Sequence, residues 1–409
     1  MSYTNILGRV LGALAVSACL AGATVQAQVP RDIHAKLVEI GQIVDPACTA
    51  KLYRPLMPAA DYNTYWPAGA EGPANTGRLY PGITIARDTS FGPHPKDLID
   101  IFSPEKPDTN RTILIYVPGG GGNKIEQQAK EANAFYDNIG RWAVKNDMIG
   151  VTVQRHPGQQ WDDGGRDIAV AVDWVKANAA KYGGNPDRIF IWAHSAGNGP
   201  LGNYVSHADR WPNGVNVKGA IFMSGQPAQV GPAGGGRGNA PAAGGAPGAG
   251  GAPAGGRGNA PAPVSTCGAV GGNGGTEGAI AGPSGALAGR AAGAGPGGGG
   301  GGGGRGGQPL TPEQQAERDN LPGLKKSSVR IMLAYAELDP GITGAMPAGS
   351  IALHDELCKL DGAKAKDGEG HCPAMLFAKD ESHMSEVFSI DTADKNVSGP
   401  ILNWIKKVK

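Results

Sequence analysis

The sequence predicts an α/β fold, in which a mostly parallel β-sheet carries helices on both faces. Several short runs, among them residues 112–117, 188–193 and 330–335, are apolar throughout, as strands buried on both faces require. Stretches with apolar residues at helical spacing lie between these runs. Strands that alternate with helices favour a parallel sheet, because each helix returns the chain to the edge from which the next strand starts.

The elements follow one another in a regular order. Residues 28–81 show little periodicity and predict an N-terminal arm over the domain surface. Residues 83–86 and 98–102 are short β-prone runs around a polar turn, and they predict a hairpin at the antiparallel edge of the sheet. The predicted buried strands are 112–117, 149–153, 188–193, 217–223, 330–335 and 375–378. The predicted helices are 125–145, 166–182, 350–360 and 399–407.

The N-terminus has the layout of a signal peptide. Arg9 precedes an apolar stretch at 10–23, and a small-residue cleavage site ends at Ala27. We therefore expect cleavage after Ala27 and a secreted or periplasmic protein. Because V-S-A-C also resembles a lipobox, lipidation of Cys19 remains an alternative. The apolar stretch is short for a membrane span and no other segment is longer, so no integral span is expected.

A second unusual segment interrupts the predicted domain at residues 227–309. It consists almost entirely of Gly, Ala and Pro, and the octapeptide GGRGNAPA occurs at 235–242 and again at 255–262. Such a composition buries too little apolar area to offset its chain entropy, which predicts disorder. Removing it and the predicted signal peptide leaves about 300 residues, the size of one catalytic domain. We expect that domain in two parts, residues 82–226 and 310–409, preceded by the N-terminal arm.

Charge and cysteine content limit the possible partners. The chain has 37 basic and 36 acidic side chains, so nothing in its charge favours nucleic acid or an anionic membrane. Of five cysteines, Cys358 and Cys372 are the favoured disulfide because they flank a polar loop, while Cys48 and Cys267 either pair or stay free. No Cys/His spacing resembles a zinc site, and we expect neither a metal nor another cofactor.

The candidate nucleophile is Ser195, in the sequence A-H-S-A-G at the end of the 188–193 strand. A serine on a tight strand-to-helix turn projects its hydroxyl, and its neighbours two positions away must be small for strand and helix to approach. Ala193 stands where the usual G-x-S-x-G pattern has its first glycine. An ordinary turn is the alternative, but the strand before it and the helix-compatible stretch after it favour a nucleophile elbow.

Residues 167–197 resemble the nucleophile region of carboxylesterases and of the hormone-sensitive-lipase and feruloyl-esterase-like branches of the α/β-hydrolase superfamily. The resemblance extends more loosely from Gly82 to the C-terminus, outside the glycine-rich insert. It implies the α/β-hydrolase fold and hydrolysis of esters through a catalytic serine. The insert then occupies the position in which many relatives carry a cap, and we expect that a folded cap has been lost here.

The resemblance also implies an oxyanion hole in the loop P-G-G-G-G that follows the 112–117 strand. We expect its donors to be the amides of Gly119, Gly120 and Ala196, because glycine lets backbone N–H groups approach a substrate oxygen. Related esterases have a histidine that holds this loop where Pro118 stands, so the rigidity of the loop is an open question. An unstructured loop is one alternative, because four glycines are costly to order. A phosphate-binding loop is the other, but Ile125 after Lys124 departs from G-x-x-x-x-G-K-[ST].

The acid and the base follow from the order Ser, acid, His, each after a strand, that this fold uses. Asp339 follows the 330–335 strand and is the predicted acid, with Glu337 as the fallback. The histidines after Asp339 are His354, His371 and His383. Since His383 alone follows the last predicted strand, it is the predicted base, which would accept the proton of Ser195 and be oriented by Asp339.

Three further residues lie near these motifs. His194 is interpreted as a packing residue, and Trp161 with Asp162 could line an acyl pocket. The leading hypothesis is a serine carboxylesterase acting on a small-molecule or polymer-linked ester through an acyl-enzyme. A peptidase or lactonase using the same triad, or a binding protein without catalysis, remains possible on the sequence alone.

Overall fold

The computed structural model describes residues 31–57, 80–108, 110–120, 135–155, 161–230, 310–340 and 347–409. The predicted signal peptide, the lipobox cysteine, the Lys124 region and residues 231–309 of the insert lie outside these ranges.

The strands are β1 Ile83–Ser90, β2 Leu98–Pro104, β3 Arg111–Val117, β4 Met148–Val153, β5 Gly184–His194, β6 Gly219–Met223, β7 Arg330–Leu338 and β8 Ala374–Ser382. The helices are α1 Arg31–Ile40, α2 Pro46–Tyr53, α3 Asp137–Lys145, α4 Asp163–Asn178, α5 Asn198–Ser206, α6 Pro312–Glu317, α7 Leu321–Lys326, α8 Ala348–Cys358, α9 Ser385–Phe388 and α10 Ser398–Lys407.

The strands of the described residues form one sheet in the order β1-β2-β4-β3-β5-β6-β7-β8. β1 and β2 are antiparallel to their neighbours, and the other strands pair in parallel. In the centre, Ile115 lies opposite Val151 on one side and Ile191 on the other. The predicted mostly parallel sheet with an antiparallel hairpin at its edge is confirmed. Because parallel strands share one direction, β5, β7 and β8 bring their carboxyl ends to the same edge.

Apolar side chains cover both faces of the sheet. One core contains Trp192, Phe388 and Trp404, and the core on the other face contains Ile168 and Val172 of α4. All six residues of β4 are buried, as a strand covered on both faces requires. Helices therefore cover both faces of the sheet, and the loops at the carboxyl ends of its strands are left to form a site.

The sequence suggested an N-terminal arm over the domain surface, and within residues 31–57 this segment forms two helices. α1 buries Ile33 and Leu37, and α2 buries Tyr53, all within a core of the domain. Both helices are short, ten and eight residues, so little periodicity could develop. Local chemistry marks the start of α2 better than periodicity does. The Asp45 carboxylate accepts from the Cys48 N–H at 2.9 Å, and proline occupies the first turn.

The predicted disulfide between Cys358 and Cys372 is confirmed, and it ties the end of α8 to the segment that enters β8. Cys48 also belongs to a disulfide. Within the described ranges, no helix combines the length and the apolar composition needed to cross a bilayer.

Candidate active site

The turn after β5 has the geometry of a nucleophile elbow. Ser195–Gly197 form a single 3₁₀ turn, after which α5 begins. Ser195 has φ +52°, in the left-handed region that a non-glycine residue occupies at a cost of about 1–3 kcal/mol. A Cβ on Gly197 would lie 2.7 Å from the Val117 carbonyl oxygen, so glycine is required there. Ala193 is fully buried, which explains why a small residue suffices at that position.

Three side chains from three loops meet at this turn. His383, directly after β8, has its Nε2 2.8 Å from Ser195 Oγ. Its Nδ1 lies 2.8 Å from Oδ1 of Asp339, which follows β7. The His383 and Asp339 side chains are buried, whereas Ser195 is partly exposed. The buried carboxylate can orient the imidazole, and the imidazole can accept the proton of a serine that substrate can reach.

The competing candidates lie elsewhere. The Glu337 side chain is exposed, and its Oε2 accepts from the Asp380 N–H at 2.7 Å. His354 contacts the Asp355 and Asp367 side chains, and His371 contacts the Asp361 side chain. All three contacts lie on the exposed surface. The structure therefore brings Asp339 and His383 to Ser195 and leaves the fallback acid and the other two histidines outside the site.

Two residues behind Asp339 were not anticipated from the sequence. Oδ2 of Asp339 accepts from Ser224 Oγ at 2.6 Å and from the Ala336 N–H at 2.8 Å. Ser224 Oγ also contacts Oε1 of Glu386, and both residues are fully buried. A hydroxyl has one proton to donate, so it can satisfy only one of two ionised carboxylates. Donation from a protonated Glu386 to Ser224, and from Ser224 to Asp339, supplies a proton to each of these two contacts.

The surroundings of Glu386 also favour the protonated form of its carboxyl group. Burial, and then the charge of Asp339, raise the pKa of the Glu386 carboxyl well above its usual value. The topology contained a signal for Ser224, because it follows β6, the strand between β5 and β7. Nothing in the sequence distinguishes Glu386 from a surface glutamate, although it lies three residues after His383.

His194 is more than a packing residue. It is buried, and its Nε2 lies 2.8 Å from the His383 carbonyl oxygen, so it donates there and fixes the backbone of the histidine loop. Burial and the neighbouring His383 lower the pKa of His194 well below its usual value. The ring is therefore neutral, and its only N–H serves this hydrogen bond.

The three residues expected to form the oxyanion hole lie on either side of Ser195. A Cβ on Gly119 would lie 2.7 Å from Ser195 Cβ and 3.0 Å from the His194 carbonyl oxygen, so the loop after β3 packs directly on the elbow. Gly120 has φ +57°, a conformation that favours glycine. Ala196 follows Ser195 in the 3₁₀ turn.

Trp161 and Asp162 lie at the other end of α5 from Ser195. The Trp161 ring packs edge-on against His207, just past the end of α5, and the Arg210 guanidinium lies over it. The Asp162 carboxylate pairs with Arg166 and Arg210. These contacts are structural, and they do not place either residue beside the nucleophile.

Two groups of side chains in the described ranges have metal-ligand spacing. One consists of His354, Cys358, Asp367 and Cys372, but its two sulfurs are bonded to each other. The other consists of His194, His383 and Glu386. Three of its four ring nitrogens already form the hydrogen bonds described above.

Known proteins resemble this chain around the same residues. The BD-FAE family model matches residues 99–205, which run from β2 to α5 and include the elbow. Probable carboxylic ester hydrolase LipM of Mycobacterium tuberculosis is 31% identical over 154 residues, or 36% of this chain and 33% of that protein. Secreted lipase 5 of Gibberella zeae is 27% identical over 184 residues, or 39% of this chain and 33% of that protein.

The aligned part of the chain thus spans about a third of the length of these two relatives. Among solved structures, a truncated carbohydrate esterase from gut microbiota is 14% identical and covers 79% of this chain and 97% of its own, with a TM-score of 0.44. The strand order and the elbow define an α/β-hydrolase. In sequence, the chain is similar to the BD-FAE family over residues 99–205 and to carboxylic ester hydrolases of this superfamily.

Proposed function

We propose that the protein hydrolyses carboxylic esters through a covalent intermediate on Ser195. The observation that carries the proposal is the continuous hydrogen-bonded path from Ser195 through His383 to Asp339. The sequence matches to ester hydrolases support the same reaction class.

The reaction has two halves. In the first, Ser195 Oγ attacks the ester carbonyl carbon while His383 Nε2 accepts the hydroxyl proton and Asp339 stabilises the imidazolium that forms. The amides of Gly119, Gly120 and Ala196 would receive the negative charge that develops on the carbonyl oxygen. His383 then donates the proton to the departing alcohol. In the second half, His383 deprotonates a water, which attacks the acyl group and releases the acid from Ser195.

A fluorophosphonate probe and p-nitrophenyl acetate test the proposal together. The wild type should be labelled and should release p-nitrophenol, whereas Ser195→Ala should do neither because it lacks the nucleophile. Ser90→Ala, which removes an exposed hydroxyl on β1, is the matched control and should behave as the wild type. A folded wild type that resists the probe would contradict the proposal and favour a binding protein.

The ester itself is identified by a second measurement. A p-nitrophenyl series of increasing acyl length reports how much acyl chain the site accepts, because the leaving group is constant. Peptide and lactone substrates measured beside it separate the esterase from the two other activities that the same triad supports.

We also expect export to an oxidising compartment. The Cys358–Cys372 disulfide is the described feature that supports it, since such bonds persist outside the reducing cytosol. Intact-mass analysis of the exported protein distinguishes cleavage after Ala27 from lipidation at Cys19.

A further inference from the structure

The loop after β3 has a partner that the motifs did not reveal. Pro118 stands where related esterases have the histidine that holds this loop. Two residues after β4, the neighbouring strand in the sheet, Arg155 extends its side chain towards this loop. Its guanidinium lies 3.2 Å (Nη2) and 3.4 Å (Nε) from the Pro118 carbonyl oxygen. Nη2 also lies 3.5 Å from the Gly120 carbonyl oxygen.

The direction of the Pro118 carbonyl decides where a catalytic amide points. In a trans peptide the C=O and the next N–H point to opposite sides, and no described peptide bond is cis. A guanidinium that holds the Pro118 oxygen therefore turns the Gly119 N–H away from Arg155. Gly119 itself packs on Ser195. Holding this peptide therefore also fixes the N–H of the residue that is expected to donate to a developing oxyanion.

Arg155 is buried, which is costly for a charged group that only fills space. Burial lowers the pKa of the Arg155 guanidinium, and Asp167 in α4, also buried, is the acidic neighbour that offsets part of this cost, with Tyr136 and Tyr116 nearby. The guanidinium is planar with donors on several nitrogens, so one side chain can reach two carbonyl oxygens of one loop. A lysine has a single nitrogen and cannot reproduce this arrangement.

We propose that Arg155 is a positioning residue that holds the Pro118–Gly119 peptide in the orientation required for the oxyanion hole, in place of the absent histidine. The inference rests on the proposed esterase function of Ser195. It assigns a role in the transition state to a residue that does not contact the reacting atoms.

Arg155→Met keeps the length of the buried stem and removes the guanidinium. We expect kcat for p-nitrophenyl acetate to fall about 100-fold, as for loss of one oxyanion donor, with KM little changed because this donor acts mainly in the transition state. The affinity for a trifluoromethyl ketone, which forms a tetrahedral adduct on serine, should fall in parallel with kcat/KM.

Arg141→Met is the matched control, because Arg141 is also buried and pairs with Asp391 at 2.8 Å outside the site. It should lower Tm and leave kcat and ketone affinity unchanged. If Arg155→Met does not fold, Arg155→Lys takes its place and should show the same parallel loss. Unchanged kcat and ketone affinity in a folded Arg155 variant would overturn the inference. An inactive wild type would instead overturn the proposed function.

Discussion

A serine hydroxyl has one proton, and Ser224 lies between two carboxyl groups. Its backbone has φ +46°, so the chain accepts an unfavourable conformation at this position. In the proposed mechanism an ionised Asp339 orients His383, which assigns the extra proton to Glu386. The groups that face Glu386 are Asp339, Glu381, His194, His383 and Tyr116. His194 is neutral, so it does not compensate a second carboxylate there.

Ionisation of Glu386 should therefore limit activity at high pH. As pH rises through its raised pKa, the wild type loses the donor to Ser224 and gains a negative charge beside Asp339, so kcat/KM should fall. Glu386→Gln keeps an N–H donor that cannot ionise, and its activity should persist to higher pH. Glu386→Leu should lose about tenfold or more at all pH values, since a hydrogen bond within a charged network is worth about 1.5–3 kcal/mol.

The measurement is kcat/KM against pH for the three proteins. A purely structural role would lower Tm in both variants without separating their pH profiles. Identical alkaline limbs in the wild type and Glu386→Gln would contradict the assigned protonation.

At the scale of elements, α2 packs on α9 through a second group of buried acids. Oε2 of Glu381, at the end of β8, accepts from Tyr53 OH at 3.3 Å and from Ser385 Oγ. Burial and then Asp394 raise the pKa of Glu381 well above its usual value, and burial raises that of Asp394. These contacts join the N-terminal helices to the loop that carries His383.

Glu381 makes the stability of this contact depend on pH. A carboxyl whose folded pKa is raised holds its proton in the native state after the unfolded chain has lost it. The free energy of unfolding should then fall by up to about 1.4 kcal/mol per pH unit for each such proton, from the ordinary glutamate pKa upwards until the folded pKa is reached.

Glu381→Gln removes the titrating carboxyl, so the free energy of unfolding should fall less steeply with pH in the variant. The stability of the variant minus that of the wild type should therefore be larger at pH 8 than at pH 4. Urea unfolding at several pH values measures it. Glu337→Gln, on the exposed part of β7, is the control and should leave the slope unchanged. A wild-type slope retained in Glu381→Gln would contradict the prediction.

At the scale of the whole molecule, the sheet and the three loops of the site could be predicted from the sequence, because buried parallel strands are continuous apolar runs and the fold fixes the order of the site residues. Ser224, Glu386 and Arg155 could not, since a polar residue buried by tertiary contacts has no local pattern that separates it from a surface residue. The N-terminal helices were missed for a different reason, their shortness.

The glycine-rich insert joins two well-anchored positions. On one side Ala228 is buried, and on the other Leu324 is buried in the same core. The Asn320 side chain donates to the Pro227 carbonyl oxygen at 2.7 Å, so the chain before the insert contacts the chain after it directly.

Because these anchors do not depend on the insert, a combined deletion of residues 231–260 and 274–307 should leave Tm within a few degrees and kcat for p-nitrophenyl acetate within about threefold, as for other tolerated surface insertions. This deletion keeps Cys267, because Cys48 belongs to a disulfide and Cys358 is already paired with Cys372. Thermal unfolding and steady-state kinetics measure both. A deletion of residues 31–57 is the contrasting control, since it removes buried core and should abolish folding. Loss of fold or activity in the first deletion would show that the insert is structural.

The N-terminal helices lie against the end of β8. His34 Nδ1 contacts the Asp380 carbonyl oxygen at 3.3 Å, and Tyr53 OH contacts Glu381, both beside the loop of His383. A polypeptide is synthesised from its N-terminus, so Tyr53 leaves the ribosome 328 residues before Glu381. A nascent chain that stops before residue 380 therefore cannot form this contact, and α1 and α2 would lack this part of their packing.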